Sequence, residues 1–227
     1  QTLIDSLASM PLVKPIITPR FIPSCTPEML RCMGEVAKQT LLPVQSHLSE
    51  NKQEIAWVKE LEPESSCYGD AYYRYGLFGQ TPTLMAHCCY TDGEELQLMR
   101  EQNVYAVHCP TSNCNLASGI APVRKLLQEG VNVALGSDIA GGHHLSMFRV
   151  MQYAVQMSKL QYTASDGKYP FLTLSEVFYM ATKAGGSFFG KVGSFEKGYA
   201  FDALVIDDLC LSPHHLTTSS PIQRLER

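Results

Sequence analysis

The sequence predicts an α/β fold, a (β/α)8 TIM-type barrel of which this chain carries part, and three observations lead there. Short apolar segments alternate with helical patterns for five rounds. Those segments are apolar on both faces, as parallel strands covered by helices are. Their carboxyl ends are punctuated by polar side chains: Arg20, His47, His87, His108 and Asp138. A doubly wound open sheet would share the first two features. No Gly-x-Gly-x-x-Gly or phosphate loop follows a first strand, however, which weakens a nucleotide-binding sheet. In a barrel the strand ends converge on one mouth, where active sites of that fold lie. Five strands are not eight, so the barrel is expected to be incomplete.

Taken in order, residues 1–12 read as the end of a helix, and 14–18 as a short apolar strand that Pro19-Arg20-Phe21 turns out of. Thr26 caps a helix over 26–41, with Pro27 at its first position. A strand over 43–47 precedes a helix over 51–61, and 63–80 is loop with a short helix. Thr83-Leu84-Met85-Ala86-His87 is the next strand, then a helix over 92–102, then a strand running from Val104 to His108. Thr111-Ser112-Asn113 reads as a polar turn before a helix over 119–129 that Gly130 closes. The strand 131–138 ends in Asp138, and helices over 145–160 and 174–184 complete the barrel part, 1–191. From 192 the texture changes. A hairpin-like turn over 193–199 and a strand over 203–206 with no crossover helix predict a partial β appendage, 192–227.

Composition narrows the class. At 227 residues, 45% hydrophobic and 18% charged, the chain is globular rather than disordered. A net charge of -4 gives no footprint for nucleic acid or an anionic membrane. No apolar run approaches the roughly 18 residues of a membrane span, and the start does not resemble a signal peptide. The eight cysteines are scattered among apolar residues, as free thiols in a reducing, cytosolic compartment would be.

His47, His87 and Asp138 end three different strands, and Glu50 follows His47 by three residues. Zinc takes imidazole nitrogen and carboxylate oxygen, and lowers the pKa of a water towards neutrality. Asp138 could ligate the metal and also accept a proton from that water, which Glu50 could then shuttle to the substrate. Residue by residue, hydrogen-bonded core histidines and a helix-capping aspartate are the plainer explanation; together, at strand ends, they point to a site. His143 and His144, adjacent after Gly141-Gly142, would point to opposite sides of a strand and are expected to be exposed loop residues.

The pieces Thr18-Pro19-Arg20-Phe21, Gln45-Ser46-His47-Leu48-Ser49-Glu50-Asn51, Met85-Ala86-His87-Cys88, His108-Cys109-Pro110-Thr111-Ser112-Asn113 and Leu135-Gly136-Ser137-Asp138-Ile139-Ala140-Gly141-Gly142 carry a resemblance. Over about residues 10–207 the chain resembles the metal-dependent amidohydrolase superfamily. The Thr-Pro-Arg-Phe and Asp-x-Ala-Gly-Gly pieces narrow the likeness to its guanine-hydrolysing members. The resemblance implies about strands four to eight of the barrel, one zinc ion, and hydrolysis of a small-molecule purine, guanine, to xanthine and ammonia. It implies His47 and Asp138 as metal ligands, Glu50 as proton shuttle, and His87 as a second electrophile beside the substrate. Arg20 would bind the purine edge and Phe21 pack on its ring, while His108 and Asn113 would be structural. A homodimer in the cytosol is implied as well.

Ser137 replaces the superfamily's usual threonine, a small departure. The superfamily's His-x-His ligand pair is a larger one, because the sequence contains none. The chain therefore reads as the carboxyl-terminal portion of a barrel, inactive alone. A related enzyme acting on another heterocycle, or a catalytically dead scaffold, are the alternatives.

Overall fold

Four parallel strands pair in the order in which they occur along the chain: β1 (Val44–Leu48), β2 (Thr83–His87), β3 (Tyr105–His108) and β4 (Val133–Leu135). They belong to a computed structural model that describes residues 2–206 apart from 8 and 11, and residue 220. A doubly wound sheet reverses its strand order at a switch point, whereas a barrel wall advances strand by strand. The sequential order therefore identifies a portion of a (β/α) barrel.

The expected fifth strand, 14–18, contributes a single bridge, Ile17 to Val44. Pro15 and Pro19 flank that bridge without amide hydrogens, so a longer ladder has no donors there. On β1, Val44, Ser46 and Leu48 are buried and Gln45 and His47 half-buried; β2 and β3 alternate in the same way. The buried face meets the helices. Val44, Leu48, Met85, Ala106 and Val133 join Leu30, Val58, Tyr72, Met99, Leu126, Met151 and Met180 in one core. Full burial of each large apolar side chain contributes roughly 1.5–3 kcal/mol.

The helices are α1 (Thr2–Leu7), α2 (Pro27–Thr40), α3 (Lys52–Leu61), α4 (Tyr68–Arg74), α5 (Gly93–Glu101), α6 (Pro110–Asn115), α7 (Val123–Gln128), α8 (Met147–Ala164) and α9 (Leu174–Tyr179). A π-helical turn (Met180–Ala184) and α10 (Gly185–Ser187) continue α9. Thr26 Oγ1 accepts the Met29 amide at 3.2 Å and Asn51 Oδ1 that of Glu54 at 2.9 Å, so both caps sit where side-chain oxygens can meet orphan amides. The polar turn expected at 111–113 is instead the helix α6. Its Thr111, Ser112 and Asn113 are all buried, so no apolar periodicity announces it. The helix expected over 119–129 is confined to α7, because Pro122 stands at its N-cap.

Within 192–206 the turn is present, with the Ala200 amide bonded to Lys191 O at 2.8 Å. The strand expected over 203–206 does not form: Leu204 and Val205 are 83% and 100% exposed and, among the described residues, no strand pairs with them. A lone strand has no ladder to join. The remainder of the expected appendage, 207–227 apart from residue 220, lies outside the described residues, as does Cys210. The seven other cysteines are unpaired thiols. Among the described residues no helix is long and apolar enough to cross a membrane.

Gly34 of α2 marks the closest approach of helix and loop, where an added Cβ would lie 1.8 Å from Tyr75 O. Gly34→Ala is expected to lower stability by roughly 2–3 kcal/mol, the cost of overpacking a rigid contact, measured as a reduced urea midpoint.

Candidate active site

Parallel pairing brings the carboxyl ends of β1, β2 and β3 to one edge, and the chain leaves that edge with unusual backbone. Ser49, His87, Cys88 and Asp138 all have positive φ, 46°, 73°, 50° and 46°. Left-handed backbone costs a residue with a side chain roughly 1–2 kcal/mol, and such positions gather at functional sites. For His87 the consequence is direct. Strand alternation groups it with Thr83 and Met85 on the helix-covered face, away from His47, which pairs with Ala86. With the backbone turned at its own φ, the His87 ring instead stacks on His47, centroids 5.0 Å apart and planes at 24°.

His47, His87 and Asp138 each offer one donor atom, and the three lie within 4.8 Å of one another. Each histidine is oriented from behind. His47 Nδ1–H donates to Arg20 O at 2.5 Å, and His87 Nδ1–H to Asn113 Oδ1 at 2.8 Å. Both Nε2 atoms thus keep their lone pairs, the arrangement that metal-binding histidines show. Burial holds the His47 imidazole below its ordinary pKa, against the pull of the Arg20 carbonyl, and so favours the neutral ring. His87 is 1% exposed and its Nε2 has no hydrogen-bond partner, while Glu50 Oε2 is 3.7 Å and Asp138 Oδ2 3.9 Å away. A buried imidazole nitrogen left without a partner beside two carboxylates fits a site for a cation.

The cavity at this edge measures about 450 Å³. Arg20, Phe21, His47, Glu50, His87 and Asp138, all singled out in the sequence, line it together. Arg20 lies over the Phe21 ring, 5.6 Å from its centroid, and Phe21 meets Trp57 edge-on at 6.5 Å. Glu50 is held by Ser118, whose hydroxyl donates to Oε1 at 2.6 Å. Nothing in the local sequence marks Ser118, 68 residues from its partner. Asn113, expected to be structural, acts on the site by holding His87. His108 is buried, and its pKa is pushed down to about 3 by that burial and by the nearby His87, so it stays neutral. His143 and His144 do follow the double glycine in loop, His143 exposed and His144 half-buried, but their rings are 4.4 Å apart rather than on opposite sides. Neither sits on a strand, so alternation does not apply.

Two buried carboxyls that the sequence reading did not single out support the edge. Glu95 of α5 accepts the hydroxyls of Ser49 and Thr91, each at 2.8 Å, and the Gly69 amide at 3.0 Å, tying the loops after β1 and β2 to α4. Glu54 of α3 lines the cavity, is 6% exposed, and leaves Oε1 without a hydrogen bond. Burial, with the charges of Glu50 and Glu95 adding to it, pushes its pKa from 4.5 up to about 7. Folded Glu54 holds its proton more tightly than the unfolded chain does. Its contribution to stability is therefore full below pH 4.5 and is lost as pH rises to about 7, a fall of roughly 3 kcal/mol. Urea unfolding of metal-free protein across that range should show the slope, and Glu54→Gln should flatten it.

Comparison with known proteins fits this geometry. The amidohydrolase family matches residues 5–226. The probable guanine deaminase of Schizosaccharomyces pombe is 46% identical over 201 residues, 86% of this chain and 38% of that protein. A crystal structure of guanine deaminase from C. acetobutylicum with bound guanine in its active site is 55% identical with a TM-score of 0.95, covering 100% of this chain and 54% of that one. Escherichia coli guanine deaminase superposes with a TM-score of 0.80 at 33% identity, over 87% of this chain and 45% of that one. The chain thus spans about half the length, or less, of these relatives. With its family match running across nearly all of its residues, the chain belongs to the amidohydrolase family.

Proposed function

We propose that this chain supplies the proton-transfer and purine-binding part of a zinc-dependent site that hydrolyses guanine to xanthine and ammonia. The observation that carries the reading is the convergence of His47, His87, Asp138 and Glu50 in one cavity walled by Arg20 and Phe21. The likeness to a structure with guanine in its active site supports the choice of purine.

His47 Nε2 and an Asp138 carboxylate oxygen are the donors that would hold zinc, at the point where the unpartnered His87 Nε2 also arrives. Zinc bound there would polarise a water and lower its pKa towards neutrality. The remaining chemistry belongs to the side chains. Hydrolysis forms a C–O bond at the ring carbon that bears the amine and breaks its C–N bond. Of the two water protons, one ends on a ring nitrogen and one on the departing ammonia. Glu50, which Ser118 steadies and which faces His87, carries them in this reading. His87, held by Asn113, stabilises charge that develops on the substrate. Arg20 offers its guanidinium to the polar edge of the purine, with Phe21 and Trp57 forming the apolar wall. The unpaired thiols support a reducing compartment, the cytosol, for the protein.

In the full-length protein, Glu50→Gln is expected to lower kcat for guanine by roughly 10²–10⁴-fold while zinc content stays constant. Arg20→Ala is expected to raise KM roughly 10–100-fold, the loss of charge-assisted hydrogen bonds, again without loss of zinc. Steady-state kinetics with metal analysis checks both. Unchanged kcat/KM in Arg20→Ala would refute the purine-edge assignment.

A further inference from the structure

Beyond Ile17 the segment that carries Arg20 leaves the backbone ladder. The Ile17 amide donates to Pro43 O and the Gln45 amide to Ile17 O, each at 2.9 Å. Pro19 has no amide hydrogen with which to continue, and no backbone hydrogen bond ties residues 18–21 to β1 among the described residues. Side chains take over. Gln45 Nε2 donates to Thr18 Oγ1 at 3.1 Å. Ser46 Oγ lies 2.7 Å from Pro19 O and 3.1 Å from Arg20 O. It is also 2.6 Å from the Tyr72 hydroxyl, which reaches His47 O at 3.0 Å.

Ser46 and Tyr72 are 4% and 0% exposed, so water does not compete for these bonds. Two hydroxyl protons serve these contacts, that of Ser46 shared between the Pro19 and Arg20 carbonyls and that of Tyr72 between Ser46 Oγ and His47 O, a chain whose members strengthen each other. The backbone oxygens this pair touches, those of Pro19, Arg20 and His47, lie on the two segments that carry the purine clamp and the metal donor. The Arg20 carbonyl is shared, because it also accepts His47 Nδ1–H at 2.5 Å.

We propose that the Tyr72–Ser46 hydroxyl pair is a positioning device that fixes Arg20 relative to His47, coupling purine-edge binding to metal binding through the Arg20 carbonyl. The substrate half of this inference rests on the guanine reading; the metal half does not.

Tyr72→Phe in the full-length protein removes the hydroxyl and keeps the ring. It is expected to raise KM for guanine and the zinc dissociation constant, the latter by chelator competition, each roughly tenfold, with kcat little changed. In an Arg20→Ala background the same substitution should no longer raise KM, because the clamp it positions is gone. Unaltered KM and zinc affinity, or an equal rise in KM in both backgrounds, would overturn the proposal in favour of a packing role. Should Tyr72→Phe not fold, Ser46→Ala is read in the same way. If the unsubstituted protein does not hydrolyse guanine, the guanine reading fails, and zinc affinity alone decides the device: tenfold weakening supports it, no change refutes it.

Discussion

The parallel ladder is the constraint on which everything else in this chain depends. Four strands running the same way present all their carboxyl ends at one edge, and each end is followed by a loop that must turn back over a helix. Residues far apart in sequence, from Arg20 to Asp138, meet there without any local pattern that pairs them. A period of two would still have sent His87 to the wrong face. The left-handed backbone at that one residue redirects it, and the shared Glu95 carboxyl holds the loops on either side in the shape this requires.

Orientation of the donors comes from oxygen atoms that sequence motifs do not display. A backbone carbonyl fixes His47 and an amide side chain fixes His87, so each ring is held at Nδ1 and presents Nε2 to the cavity. Two carboxylates face a buried, unpartnered imidazole nitrogen, an arrangement that a cation at the same point would relieve. The opposite wall is different in kind. The side chains of Arg20, Phe21 and Trp57 are at most half-buried and meet through ring contacts.

Much of this was legible in the sequence because it rests on local rules. The strands expected over 43–47 and 83–87, the cap Thr26, and the polar residues at or just beyond strand ends follow from apolar periodicity and from polar punctuation. What was not legible depends on long-range contact. The helix α6 is invisible because its buried positions after Pro110 are Thr, Ser and Asn rather than an apolar stripe, with Thr111 bonded to Ser137 O and Asn113 to His87. Ser118 reaches Glu50 across 68 residues, and Glu54 looks like any helix-surface glutamate until its burial is known. The strand expected at 203–206 failed for the converse reason: β propensity is local, but a strand exists only where a neighbour supplies its hydrogen bonds.

The three-pronged grip of Glu95 has a mechanical side. By joining the loop after β1, the loop after β2 and the start of α4 through one buried carboxyl, it makes the floor that carries His47, Glu50 and His87 a single stiff plate. Phe21, Trp57 and Leu116, by contrast, line the cavity with half-buried or exposed side chains. Because the Glu95 carboxyl is buried among its three donors, the segments that bear His47, Glu50 and His87 are set against one another by the fold itself.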